Sequence, residues 1–315
     1  MSEKEISVKF KTITPLWTGD AWMECKEIRP SSLMGSLRFW FEVYCHFAGN
    51  NVSYEKENLD YKWFEEELKR RVRKNSSADV ERIALEIARE KFSLLSFIFG
   101  CTGWRSRVKI ESIKFRKRTI KDSEFDYNYL HSQDNNTKWW TKKVLFNNKE
   151  QIDVFENITV KFKIDSNALS DVKKFFKFCE DKPILMGGKK AFGFGFVKLK
   201  SDLDLNNVEV KIKKEDIVVW DNIKIKKNNI TGYNIKYFLR KKENKEFRAK
   251  NFGKMSRASN FYFSMPKDGE IYIIIFNNKN ILDKYKKWIE ESELKQSSNR
   301  DKASINDLKN KWGSR

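Results

Sequence analysis

Apolar and polar positions alternate from Ile6 to Leu16, with Ile6, Val8 and Phe10 set against Lys9 and Lys11, and predict a first strand. After a loop from Trp17 to Pro30 the period becomes helical. From about Ser32 to Phe47, at about 100° per residue, Leu33, Leu37, Trp40, Tyr44 and Phe47 share one stripe, flanked by Phe41 and Val43. That stripe is the expected core face. Gly35, Arg38, Glu42 and His46 fall on the other side, where Gly35 leaves room for another backbone and Arg38 stands one turn in from the start. An ion pair of Arg38 with Glu42 at i,i+4 is the plainer use of that face.

A polar, helix-rich stretch follows. Asn58 to Lys74 reads as one charged helix, and Ser77 to Phe99 as another with Val80, Ile83, Ile87, Leu94 and Ile98 as its stripe, broken by the glycines of Phe99-Gly100-Cys101-Thr102-Gly103. From Trp104 the period changes to two. Trp104, Val108 and Ile110 alternate with Arg105, Arg107 and Lys109, then Ile113 and Phe115 continue the apolar side, so a bulge is expected near Glu111 to Ser112. Asp122 to Asn148 reads as a hairpin or protruding loop carrying Trp139 and Trp140, paired rings that more often serve a core or interface than a base stack. Asn157 to Ile164 is a strand. Ser166 to Glu180 is a helix with Leu169, Val172, Phe176 and Cys179 inward, stopped by Pro183, and Phe196 to Lys200 is a further strand.

The order β, α, β, β, α, β is that of a ferredoxin-like domain with a helical insertion at about 50–100. Beyond residue 200, strands at Val208 to Ile212, Ile217 to Ile225 and Glu270 to Phe276 and a helix at Leu282 to Glu291 read as a second, degenerate ferredoxin-like half, ending in a polar tail. The expected class is α+β, with one domain at 1–200 and another at 201–315.

Charge narrows the function. The chain holds 64 Lys and Arg against 44 Asp and Glu, a net +20, and so large an excess attracts polyanions, nucleic acid above all. A surface that is merely lysine-rich would account for the many lysines but not for local clusters of arginine. The charged N-terminus has no apolar targeting segment, and no apolar run approaches the ~20 residues of a membrane span. A soluble, cytoplasmic protein with no membrane partner is therefore expected. Cys25, Cys45, Cys101 and Cys179 form no closely spaced pair and have only His46 and His131 for company, which favours free thiols over a metal site; no cofactor is expected.

Two motifs carry candidate chemistry. In Ile28-Arg29-Pro30-Ser31-Ser32, Ser31 or Ser32 is expected to cap a helix whose free N–H groups suit a phosphate. In Met186-Gly187-Gly188-Lys189-Lys190-Ala191-Phe192-Gly193-Phe194-Gly195-Phe196, four of the thirteen glycines lie within nine residues among lysines and rings. Phosphate cradles beside ring faces read as RNA binding. The loop lacks the lysine of a P-loop and the third glycine of a dinucleotide fingerprint, so neither ATP nor NAD is implied. Its plainer reading is a tight connection packed by its phenylalanines. From Gly103 to Lys121 there are eight basic residues and one acidic one, a candidate backbone-tracking strand, against the alternative that its lysines discourage edge pairing. Phe247 to Ser259 carries Lys254 and Arg257 among its cations and reads as an RNA contact or a mobile basic loop. His46 is the one candidate general base near the first helix, and a surface or packing role is the commoner one; His131 is no better, and Asp20 reads first as a turn aspartate.

The segments TPLWTGD, RPSSLMGSLRFWF, FGCTGWRSRVKI and GGKKAFGFGF, in that order, resemble the RAMP superfamily, the ferredoxin-like RNA-binding proteins of CRISPR systems, and within it the first RAMP subunits of type III-B (Cmr) effector complexes. The resemblance spans about residues 6 to 200, and beyond it only GKMSRASNFYFSM is similar. Met34 stands where relatives often have a basic residue, leaving Arg29 and Arg38 as the main cations of that helix. The resemblance implies a non-catalytic subunit that holds guide RNA toward its 3′ end, helps capture target RNA and assembles with other RAMP subunits. The RNA-contacting residues expected are Arg29, Ser31, Ser32, Gly35, Arg38, Arg105, Arg107, Lys109, Gly187, Gly188, Lys189, Lys190, Gly193, Lys254 and Arg257. A metal-independent endoribonuclease with His46 as base, and a purely architectural subunit, are the competing expectations.

Overall fold

The computed structural model describes residues 2–20, 22–53, 57–74, 79–127, 135–180, 182–213, 217–253, 259–277 and 279–292. Its first strand, β1 (Glu3–Thr12), buries Ile6, Val8 and Phe10 and turns Lys9 and Lys11 to solvent, as the alternation requires. Helix α1 (Pro30–Ala48) buries all seven apolar residues of the expected stripe and flanks, and ends at Gly49, whose left-handed φ of 69° closes the cap. The insertion holds α2 (Tyr61–Lys74), α3 (Val80–Lys91) and α4 (Leu94–Phe99). The single helix expected from Ser77 to Phe99 is thus two. Phe92 is extended, and Ser93 starts a new helix by accepting from the Ser96 amide while its own amide and hydroxyl are held by the Glu57 carboxylate at 2.9 and 2.6 Å.

Strand β2 (Val108–Lys121) pairs with β3 (Gln151–Asp165), and its register slips between Ile110 and Ser112, where the bulge was expected, and again between Lys114 and Arg116. Between these strands lies a helix, α5 (Asn135–Phe146), in place of the expected hairpin or loop. The side chains of Trp139 and Trp140 lie outside the described residues. Helix α6 (Ser166–Glu180), the two-residue β4 (Ile184–Leu185) and β5 (Phe196–Ser201) complete an antiparallel sheet of order β2-β3-β1-β5-β4. Without the short β4, this is the ferredoxin-like order, with α1 and α6 packed on the face that carries Ile6, Val8 and Phe10.

The second half runs β6 (Val218–Lys224), α7 (Gly232–Lys242), α8 (Lys245–Asn251), β7 (Phe261–Phe263), β8 (Glu270–Phe276) and α9 (Leu282–Glu290), with sheet order β6-β8-β7. This repeats the first β, α, β, β, α of the same topology, and the described residues contain no fourth strand for it. Val208 to Ile212, expected as a strand, has no regular structure, and the segment from Phe247 that reads as a loop begins inside α8. The two halves share apolar packing: Trp220 of β6 meets Trp40 and Phe47 of α1 at ring separations of 6.2 and 5.7 Å and donates to the Pro183 carbonyl at 2.8 Å.

The halves meet backbone to backbone at Gly193. With φ of 88°, it accepts from the Met265 amide, and any Cβ would collide with the backbone of Phe263, Ser264 and Met265; Gly232 faces it with as little room. Gly193→Val is expected to lose about 3 kcal/mol or more of stability from strain and overpacking. Urea denaturation checks this, and a midpoint within error of the wild type would contradict the tight junction.

Candidate nucleic-acid interface

Helix α1 starts two residues earlier than a cap at Ser31 would place it. Arg29 is the N-cap and makes no side-chain cap bond, Pro30 occupies the first helical position with no N–H to satisfy, and Ser31 and Ser32 are exposed in the first turn. The serines therefore present hydroxyls and helix-end amides outward, with no acidic side chain in that turn. Arg29 lies 3.8 Å from Glu27, both well exposed, so this pair is weak. Gly35 is also exposed, with nothing within 4 Å of where a Cβ would stand, so none of the described residues supplies the backbone expected to approach it.

Arg38 does not pair with Glu42. Its Nη1 donates to the Gly100 carbonyl at 2.6 Å, tying α1 to the turn after α4. Gly100 and Gly103 both take left-handed φ, 83° and 82°, and Cys101 and Trp104 exchange backbone hydrogen bonds of 3.0 Å across the turn. Arg38 also acts on its neighbours. Burial works against the charge of Glu57, but hydrogen bonds from Ser93 and Ser96 and the Arg38 charge bring its carboxyl below the usual range.

Of the three strand cations expected to contact RNA, Arg107 and Lys109 are paired within the protein. Arg107 was expected to face RNA, yet its side chain is only 11% exposed; it pairs with Asp165, 6% exposed, at 3.0 Å and lies 4.5 Å over the Trp104 ring. Asp165 is held further by the Asn167 amide and side chain, each at 2.9 Å. Such a buried pair fastens the start of β2 to the end of β3. Lys109 donates to Glu3 at 2.5 Å, and that bond holds the Glu3 carboxyl below its ordinary range. A hollow of about 590 Å³ beside these residues is lined by the acids Glu3, Glu81 and Asp165 as well as by Arg105, Arg107 and Lys109. Of the three cations only Arg105 is exposed.

The glycine loop is not the cradle its composition implied. The Gly188 amide donates to Trp17 at 2.7 Å, the Gly193 amide to Lys190 at 3.1 Å and the Gly195 amide to Pro15 at 2.9 Å, while Gly187, with φ of 69°, packs on the Trp17 carbonyl and Leu16. Those amides are consumed by the fold and Phe192, Phe194 and Phe196 are buried, so the loop is a tight, packed connection. Lys189 donates to the Val144 carbonyl at 2.7 Å and sits 4.3 Å over the Trp17 ring; burial pushes its ammonium down to about 8 and lowers Lys190 as well. Lys254, Arg257 and His131 lie outside the described residues.

The family model of the RAMP superfamily matches residues 9–198. This span takes in nearly all of the first sheet, α1, the glycine turn after α4 and the glycine loop. The chain belongs to the RAMP superfamily. Crystal structures similar to it include Cmr1 from Pyrococcus furiosus in its apo form, 16% identical, covering 87% of this chain and 88% of that one, with a TM-score of 0.46. Oligomeric Cmr4 from Pyrococcus furiosus is 13% identical and covers 64% of this chain and 98% of that one, with a TM-score of 0.32. No curated protein sequence matches the chain. No helix among the described residues is long and apolar enough to cross a membrane.

In this RAMP chain the structure brings Arg38 and the Gly100–Gly103 turn together and leaves Ser31, Ser32, Gly35 and Arg105 open. Asp20 is a turn aspartate, its Oδ1 accepting from the Trp22 and Glu24 amides at 2.9 Å. His46 lies in the last turn of α1, about 24 Å along the axis from its start.

Two outcomes are expected. Arg107→Ala leaves Asp165 buried without its cation and costs about 3–5 kcal/mol, read as a fall in the urea midpoint. Lys189 loses its proton near pH 8 in the folded protein but nearer 10.5 when unfolded, so its burial cost is full below pH 8 and relieved as pH rises through that window. Lys236, also pushed down to about 8 by burial and by Arg240, titrates alongside it. The wild type should therefore gain more stability than Lys189→Met between about pH 8 and 10.5, and equal gains would contradict the buried ammonium.

Proposed function

We propose that this RAMP protein is a non-catalytic RNA-binding subunit of a type III-B CRISPR ribonucleoprotein, holding guide RNA toward its 3′ end, helping to capture target RNA and assembling with other RAMP subunits. Membership of the superfamily supports the class, and the sequence resemblance described above supports the place within it. The observation that carries RNA binding is the open start of α1. Ser31, Ser32 and Gly35 are exposed at a helix end without acids, in a chain of net charge +20. Arg38 orients the neighbouring turn, and exposed Arg105 adds a cation there.

The placement of His46 at the far end of α1 supports a binding role over catalysis, because a base must lie within hydrogen-bond reach of the reacting group. Gly35→Glu tests the interface without disturbing the fold, since the new side chain enters open space and glycine is the weaker helix former. Thermal stability should hold or rise while affinity for a single-stranded guide RNA falls about tenfold, a change of about 1.4 kcal/mol. Unchanged affinity would remove α1 from the interface. Purified wild type should leave CRISPR repeat RNA intact in EDTA, and a site-specific cut abolished by His46→Ala would instead establish the nuclease.

A further inference from the structure

The open face of the first sheet divides into two electrostatic halves. At the Glu3 end, Lys109 pairs with Glu3, and Lys161 and Lys163 each pair with Glu5 and Glu111. At the other end lysine faces lysine. The register sets Lys9 directly opposite Lys200 and Lys11 directly opposite Lys198, and Lys114 shares a row with Lys9 through Thr159. Like charges directly opposite each other on one sheet face destabilise it. Strands lie about 4.8 Å apart and residues i and i+2 about 6.7 Å apart, so five ammonium groups crowd one small surface.

Among the described residues none of the five makes an ion pair; Lys198 alone has a charge-compensating contact, 5.6 Å over the Tyr272 ring. Lys9, Lys11, Lys114 and Lys200 are exposed. Protection of a sheet edge accounts for Lys114 on the edge strand β2 but not for Lys9 and Lys11, because β1 lies between β3 and β5 and has no free edge where they sit. Beyond Lys11 the face runs into a cleft of about 460 Å³ lined by the donors Arg116, Asn157, Asn228, Asn229 and Lys267 and by the acids Glu124 and Glu156. Arg116 and Arg118 share Glu156 there. Donors therefore continue off the sheet in one direction.

We propose that this lysine ladder and its cleft are a second RNA-contacting surface, separate from the start of α1, that tracks the phosphate backbone of a single strand without reading its bases. The proposal rests on the RNA-binding reading above. A repeating polyanion matches cations spaced along and across strands, and among the five lysine positions and their row partners there is no exposed ring for bases to stack on. An acidic protein segment is the competing occupant.

The test compares Lys9→Gln/Lys11→Gln/Lys200→Gln with Lys163→Gln, whose lysine is ion-paired on the same face. Binding of a single-stranded oligouridylate is measured across a salt series. The triple variant should lower the slope of log affinity against log salt by about two units, roughly 0.7 for each phosphate that is no longer neutralised, while Lys163→Gln keeps the wild-type slope. The melting temperature of the triple variant should hold or rise as repulsion is relieved, which shows that the fold survives. An unchanged slope in the triple variant, with Gly35→Glu still weakening binding, overturns the ladder and leaves the proposed function standing. A wild type that binds no oligouridylate or guide RNA overturns both, and lysine-dependent binding of polyglutamate in its place assigns the face to an acidic protein.

Discussion

The backbone of Gly193 runs against that of Phe263 to Met265 and Gly232, with no volume for a side chain at either glycine. Much else follows from this one approach. It holds the loop between β4 and β5 against β7 and the start of α7, so β6 can bring Trp220 onto Trp40 and the second sheet can close over the apolar flank of α1. The same loop satisfies its amides on Trp17 and Pro15, which fixes the exit of β1 and the path of the chain toward α1. A cluster of glycines, lysines and phenylalanines is therefore used as a joint. Its phenylalanines fill the space beneath it, and its glycines permit the left-handed turns and the contact.

The positive charge of the chain does two kinds of work. Arg38, Arg107 and Lys189 each reach a partner far away in sequence: Arg38 the Gly100 carbonyl, Arg107 the Asp165 carboxylate, Lys189 the Val144 carbonyl and the Trp17 ring. Those contacts fasten the insertion, the β2–β3 pair and the glycine loop. Other cations stay in water, on the open sheet face, at Arg105 and at the start of α1, and they dominate the field that a polyanion meets. Burial separates the two classes, since an ammonium or guanidinium taken from water must find an acceptor, a carboxylate or a ring to repay its hydration.

What the sequence by itself determined is what repeats locally. The alternation of β1, the apolar stripe of α1, the full extent of α6 from Ser166 to Glu180, the bulge at Glu111 and the ferredoxin-like order of the first half were all legible. Periods of 2 and 3.6 are properties of neighbouring residues and need no knowledge of the rest of the chain. The motif segments were legible for the same reason, and they led to the superfamily.

Tertiary structure decided the rest. The break between α3 and α4 depends on Glu57 holding Ser93, 36 residues away, and the fate of Arg107 depends on Asp165, 58 residues away. The helix between β2 and β3 and the course of α7 and α8 carried no strong local signal. The lysines of β1 and β5 look like ordinary solvent-facing positions in either strand alone. Only the register that sets Lys9 against Lys200 and Lys11 against Lys198 turns them into one surface, because cross-strand pairing is a long-range choice made by the packing of both sheet faces and not by either segment.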